Sequence, residues 1–187
     1  MLANTKIDLL QDLDAINNNF MLGMAAAYLL NHPDAKMMLR DVHLAFIPQG
    51  APRERENASI EIPIEVVIGA LEQPEIRESL ITSFRNQVFR TTLSETLEAI
   101  KEYCVNTRQS KVLLDADWYN FTRLIRNALT HDGILRFDKK ARPPVEFFRW
   151  RLEASDEGKH LSALGIPTTS AVPVLQRARQ FVESALD

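Results

Sequence analysis

Three side chains near the end of one helical pattern could act together on a charged group: Arg126, Asn127 and His131. Histidine exchanges protons near neutral pH, and arginine offers a permanent cation with a planar fork of donors for an anionic oxygen. Asparagine can orient an imidazole or donate a hydrogen bond of its own. On an α-helix Asn127 and His131, four residues apart, lie about 40° from each other and share a side. Arg126, five residues before His131, lies about 140° away, so only its long side chain can converge on a group held beside the imidazole. That favours a ligand in a groove between two helices or two subunits. The sequence has no phosphate-binding glycine loop, His-Glu-x-x-His box or nucleophile elbow to compete with this trio.

The run Arg126-Asn127-Ala128-Leu129-Thr130-His131 resembles the signature of the HEPN superfamily, an Arg followed after four to six residues by a His, often with Asn directly after the Arg. The continuation Asp132-Gly133-Ile134 is similar to one common in that family. The resemblance covers roughly residues 74–187 and implies an all-α, HEPN-like helix bundle in which two copies of the motif face each other across a homodimer. It further implies a metal-independent endoribonuclease of toxin or defence type, with no cofactor. RNA carries its own nucleophile in the 2′-hydroxyl, so a proton-transfer group and a cation on the phosphate suffice. His131 would move a proton at the 2′-oxygen or the leaving 5′-oxygen. Arg126 would neutralise the phosphate, and Asn127 would orient His131 or donate to the phosphate. The products would be a 2′,3′-cyclic phosphate and a 5′-hydroxyl. A cognate antitoxin or a nucleotidyltransferase is the partner the resemblance suggests, and a non-catalytic HEPN-like interaction or regulatory module is the alternative function.

Around the trio, Arg123 reads as a second phosphate contact or as a surface ion pair. Tyr119 and Trp118 could stack on a base or belong to the core. Asp132 and the carbonyl end of the helix put negative charge beside His131, which suits an acid role or a phosphate contact. Arg85-Asn86 repeats the first two letters but has Thr91 where a His would stand. His32, His43 and His160 read as structural residues.

The elements that must hold these groups are mostly helical. A first helix spans residues 5–31 with Ile7, Leu10, Leu13 or Asp14, Ile16, Phe20, Met24 and Tyr28 on its apolar side, capped by Asn4-Thr5 and stopped at His32-Pro33. A short helix comes next near residues 34–40, then an exposed loop at 49–56. Ile60, Ile62 and Ile64 permit an edge strand, while Pro63 could equally open a short helix through Glu72. The longest pattern runs from Pro74 to Asn106 with Ile76, Leu80, Phe84, Val88, Leu93, Leu97, Ile100 and Cys104 as its row. The motif helix starts at Asp115 or Asp117 and runs through His131, closed by a left-handed Gly133. Residues 134–137 and 145–152 are strand-like and could form a small hairpin. A final helix from Thr169 or Ser170 carries Val174, Leu175, Ala178, Phe181, Val182 and Leu186.

At 187 residues the chain fits a single domain, 1–187, with 33–73 as an insertion or irregular segment and 134–152 as the hairpin region. The hydrophobic share of 45% is that of a globular protein, and no apolar run is long enough for a membrane span. The first eight residues lack the layout of a secretory signal, so a cytoplasmic protein is expected. A net charge of −3 gives no global attraction to a polyanion, so any nucleic-acid contact must be local. Cys104, the single cysteine, is expected to be a small apolar residue inside a helix.

Overall fold

Helix dominates the chain, because rows of apolar residues at three- and four-residue steps recur along most of its length. The structure, a computed structural model, describes residues 5–40, 44–46, 60–62, 64–139 and 141–187. Among these, the elements run α1 (Lys6–Asn31), α2 (Ala35–Leu39), β1 (Leu44–Phe46), β2 (Ile60–Ile62), α3 (Ile64–Glu72), α4 (Pro74–Asn106), α5 (Ser110–Leu114), α6 (Asp117–Thr130), β3 (Val145–Phe147), β4 (Trp150–Leu152) and α7 (Ala171–Ala185). Each pair of strands forms its own two-stranded antiparallel ladder, so the architecture is all-α with small β-hairpins. No described helix is long and apolar enough to cross a membrane.

The chain divides into two compact units, one made of residues up to Met24 with Arg85–Asp187, the other of Ala25–Phe84. The second unit holds α2, α3 and the ladder that pairs Leu44 with Ile62 and Phe46 with Ile60. The region 33–73 therefore contains regular elements, and the strand and short-helix alternatives at residues 60–72 are both realised in succession. Ala27, Ala35, Ile64, Leu71 and Ile81 are buried there, while Ile76, Leu80 and Phe84 of the α4 row are exposed. The loop expected at 49–56, along with Asn4, His43 and Pro63, lies outside the described residues.

The first unit carries the motif. Leu9, Leu13, Ile16 and Phe20 of α1 join Leu93, Leu97, Ile100 and Cys104 of α4, the inner face of α6, and the apolar row of α7 in one core. Of the expected α1 row Leu13, Ile16 and Phe20 are buried and Leu10 and Met24 pack against the core, while the two ends depart from it: Ile7 and Tyr28 are exposed, and Leu9 and Ala27 are buried instead. Thr5 caps α1 through reciprocal bonds: its Oγ1 accepts from the Asp8 N–H at 3.1 Å, and its N–H donates to Asp8 at 3.0 Å. At the other end of the chain the Lys6 ammonium donates to the carbonyls of Leu186 at 2.6 Å and Glu183 at 3.0 Å, closing the last turn of α7. The expected row of α7 from Val174 to Leu186 is buried throughout.

The β3–β4 hairpin pairs Val145 with Leu152 and Phe147 with Trp150, so residues 145–152 fold back on themselves and do not form one long strand. Residues 134–137 form no strand, and only Ile134 makes an isolated bridge, to His160. The hairpin packs on α6 through Phe121, which meets Phe147 at 5.3 Å and stacks on Trp150 at 5.8 Å between ring centroids.

Candidate functional site

Helix α6 is built to show one polar face. Trp118, Phe121, Leu124, Ile125 and Ala128 are buried on its inner side, and the buried Thr122 hydroxyl is satisfied by the Trp118 carbonyl at 2.8 Å. The first helical position is Asp117, with Ala116 as the cap residue, so neither expected aspartate caps by its side chain. Asp117 instead accepts from the Trp118 N–H at 2.8 Å and pairs with Arg177 of α7 at 3.3 Å. The helix closes where His131 donates its N–H to the carbonyls of Asn127 and Ala128, both at 3.1 Å. Asp132 takes φ 63° and Gly133 φ 78°, and the Gly133 N–H reaches back to the Ala128 carbonyl at 2.8 Å. This is a Schellman closure whose left-handed residue is Asp132 first, with Gly133 second.

At about 100° per residue, Arg126, Tyr119, Thr130, Arg123, Asn127 and His131 fall in that order across roughly 140° of the helix surface. All six lie on the partly or fully exposed side, so the structure gathers the candidate residues on one face. It treats them differently. The Arg123 guanidinium is clasped by both carboxylate oxygens of Asp138, one at 3.0 Å, and its side chain is only 12% exposed. Those hydrogen bonds raise the Arg123 pKa further, outweighing burial, which lowers it. Of the two readings of Arg123, the ion pair is the one present. Tyr119 is half-buried and sits edge-on against Trp118 at 6.2 Å, and Trp118 is fully buried against Phe181. Trp118 is thus a core residue.

Arg126 is less engaged. Its nearest carboxylate oxygen is that of Glu98 on α4, at 3.8 Å, beyond hydrogen-bond reach, and its side chain is 29% exposed. Its Nε is buried without a partner, as is the Nε of Arg123. Asn127 is half-buried and His131 exposed, and neither side chain has a hydrogen-bond partner among the described residues. Asp132 is exposed and lies 3.9 Å from Arg136. Two cavities, of about 290 Å³ beside Asp115, Asn120 and Glu146 and about 230 Å³ beside Asp14 and Arg179, exclude Arg126, Asn127 and His131. Arg126 and Asn127 are thus partly buried and His131 exposed, and neither of these two cavities reaches them.

A second histidine comes to the end of α6. The His160 backbone bridges Ile134, and the Leu161 N–H donates to the Gly133 carbonyl at 2.9 Å. Its ring lies against Gly133, where an added Cβ would come within 2.3 Å of Nε2, so glycine is required for this closeness as well as for its positive φ. Nδ1 accepts from the Ser162 N–H at 3.2 Å. By sequence His160 is only a loop residue, since nothing local to residue 160 signals contact with residue 133. Among the described residues no group of three or more His, Cys, Asp or Glu is placed to hold a metal ion. No family model, curated protein or solved structure matches the chain.

Proposed function

We propose that the C-terminal end of the α6 polar face is the working surface of a metal-independent endoribonuclease of toxin or defence type, acting as a homodimer. The observation that carries this reading is that Arg126, Asn127 and His131 share an accessible face with no side-chain hydrogen bond to any described residue, although each bears strong polar groups. Unlike Arg123, Arg126 has no hydrogen bond from its guanidinium to any described residue, which leaves its terminal nitrogens suited to an incoming anion. The HEPN-like spacing of the same three residues supports RNA as the substrate.

In the proposed reaction the RNA 2′-oxygen attacks phosphorus, the bond to the 5′-oxygen breaks, and a 2′,3′-cyclic phosphate forms. One proton leaves the 2′-hydroxyl and one must reach the departing 5′-oxygen. His131 serves one end of that transfer and the His131 of a second copy the other. Arg126 balances charge on the phosphoryl oxygens, and Asn127 donates to one of them or orients His131. The test is incubation of the chain with single-stranded RNA in a chelator. Cleavage that leaves cyclic phosphate ends and slows by roughly 10² to 10⁴ in His131→Ala is expected. Equal cleavage by the two proteins, or none by either, would overturn the reading.

A second reading, a non-catalytic interaction module serving an antitoxin or a nucleotidyltransferase, is favoured by the exposed apolar row Ile76, Leu80 and Phe84 on α4. The chelator experiment separates the two.

A further inference from the structure

The β3–β4 hairpin turns in two residues, Phe148 and Arg149, between the paired Phe147 and Trp150. Phe148 adopts φ 56°, a left-handed value at the first turn position, where glycine is the ordinary choice. A bulky side chain there is disfavoured, and although its ring makes a tilted contact with Trp150 at 5.7 Å, Phe148 is 74% exposed, so burial offsets little of the cost. Such strain clusters at ligand clamps and active sites. Beside it the Arg149 guanidinium lies over the Trp150 ring at 5.1 Å and has no carboxylate partner among the described residues. Trp150 is fixed from behind by its stack on Phe121 and by its indole N–H, which donates to the Gly165 carbonyl at 3.3 Å. The tip is therefore an exposed aromatic plane and an available cation on a pinned base. Residues 136–151 carry six Lys or Arg against two acidic residues. Although Arg151 is paired with Glu146 and Glu153 and Arg136 lies 3.9 Å from Asp132, Lys139, Arg142 and Arg149 have no carboxylate partner among the described residues.

We infer that the Phe148–Arg149 tip is a binding subsite for single-stranded RNA, Phe148 stacking on a base and Arg149 meeting an adjacent phosphate. Aromatic planes with neighbouring guanidinium groups are how unpaired bases are gripped without sequence preference. The local excess of basic residues favours a polyanion over an apolar protein groove as the occupant. The choice of RNA over DNA rests on the proposed nuclease reading, and the stacking subsite itself does not.

The probe is a short fluorescent 2′-O-methyl oligouridylate, which lacks the nucleophile and so reports binding to the full chain without cleavage. Phe148→Ala should weaken binding by about five- to a hundredfold, and Phe148→Trp should retain it. Arg149→Gln should weaken binding and lower the salt slope of log affinity by about 0.7. Phe148→Gly should raise the melting temperature, by relieving the backbone, while losing affinity, a combination that a purely structural role does not give. Unchanged binding in Phe148→Ala would overturn the inference. So would a wild-type dimer that Phe148→Ala dissociates in light scattering, because the tip would then be a protein contact. A chain that binds through Phe148 but never cleaves RNA would keep this subsite and sink the nuclease. His131-dependent cleavage with binding indifferent to Phe148 would do the reverse.

Discussion

At one end of the α6 polar face Arg123 is clasped by Asp138 and largely sheltered; one turn further on, Arg126 has only Glu98, 3.8 Å away. The same residue type, on the same face of one helix, is bound into the scaffold in one case and left available in the other. The difference originates in the segment beyond the helix end. The chain after Gly133 returns past α6 and sets Asp138 against Arg123, while no described side chain returns to hydrogen-bond Arg126, Asn127 or His131. A polar face can thus be divided into a part that holds the fold and a part free to meet another molecule. Only the second is a candidate for chemistry.

The largest expected effect contrasts the inner face with the open end. Phe121→Ala removes a buried ring packed on Phe147 and Trp150 and should cost about 3–5 kcal/mol in urea unfolding. His131→Ala and Asn127→Ala, without partners to lose, should stay within about 0.5 kcal/mol of the parent chain. A large loss in either would place the open end in the scaffold and erase the distinction.

A smaller effect separates the two ion contacts. Asp138→Asn should lower stability by about 1 kcal/mol, since the pair is bidentate but Asp138 is partly exposed, and should leave RNA cleavage unchanged. Glu98→Gln should change stability less, by no more than about 0.5 kcal/mol, because no hydrogen bond to Arg126 is lost and only the exposed pair with Lys101 at 3.1 Å goes. Thermal melts of the two variants side by side check the ordering, and a reversed order would break the comparison.

The smallest effect lies in the core behind α6. Burial pushes the Cys104 thiol from its ordinary 9.0 up to about 11. The folded chain therefore keeps this proton where the unfolded chain has begun to lose it. The associated stability is complete below about pH 9 and fades as pH rises through about 11. Cys104→Ala should make the urea midpoint fall less steeply across that window. An unchanged slope would show that the thiol does not contribute.

Much of the fold was legible in local signals. Pro74 at a first turn and Asn106 at an end bound α4 as expected, and the α7 row from Val174 to Leu186 is buried as a set. Other features depend on what covers a face, which periodicity does not report. Ile76, Leu80 and Phe84 continue the same α4 row as Leu93, Leu97 and Ile100, yet the first three are exposed and the last three buried. The centre of the α1 row, Leu13, Ile16 and Phe20, is buried as expected, but its ends shift to Leu9 and Ala27 because adjacent apolar residues such as Leu9 and Leu10 allow two phases of one helix. At the site, the shared face of Asn127 and His131 came from spacing. The pairing of Arg123 with Asp138, the approach of His160 to Gly133 and the strained Phe148 tip did not, because each depends on a turn that closes after the helix ends.

The division of the α6 face is tested most directly by single-turnover RNA cleavage in Arg126→Ala and Arg123→Ala, compared at a temperature where both variants are folded. Arg126→Ala should slow cleavage by about 10² to 10³, the loss of a charge-stabilising group, and Arg123→Ala should stay within a few-fold of the parent chain. Equal losses, or a greater loss in Arg123→Ala, would contradict the assignment of the open end as the working site.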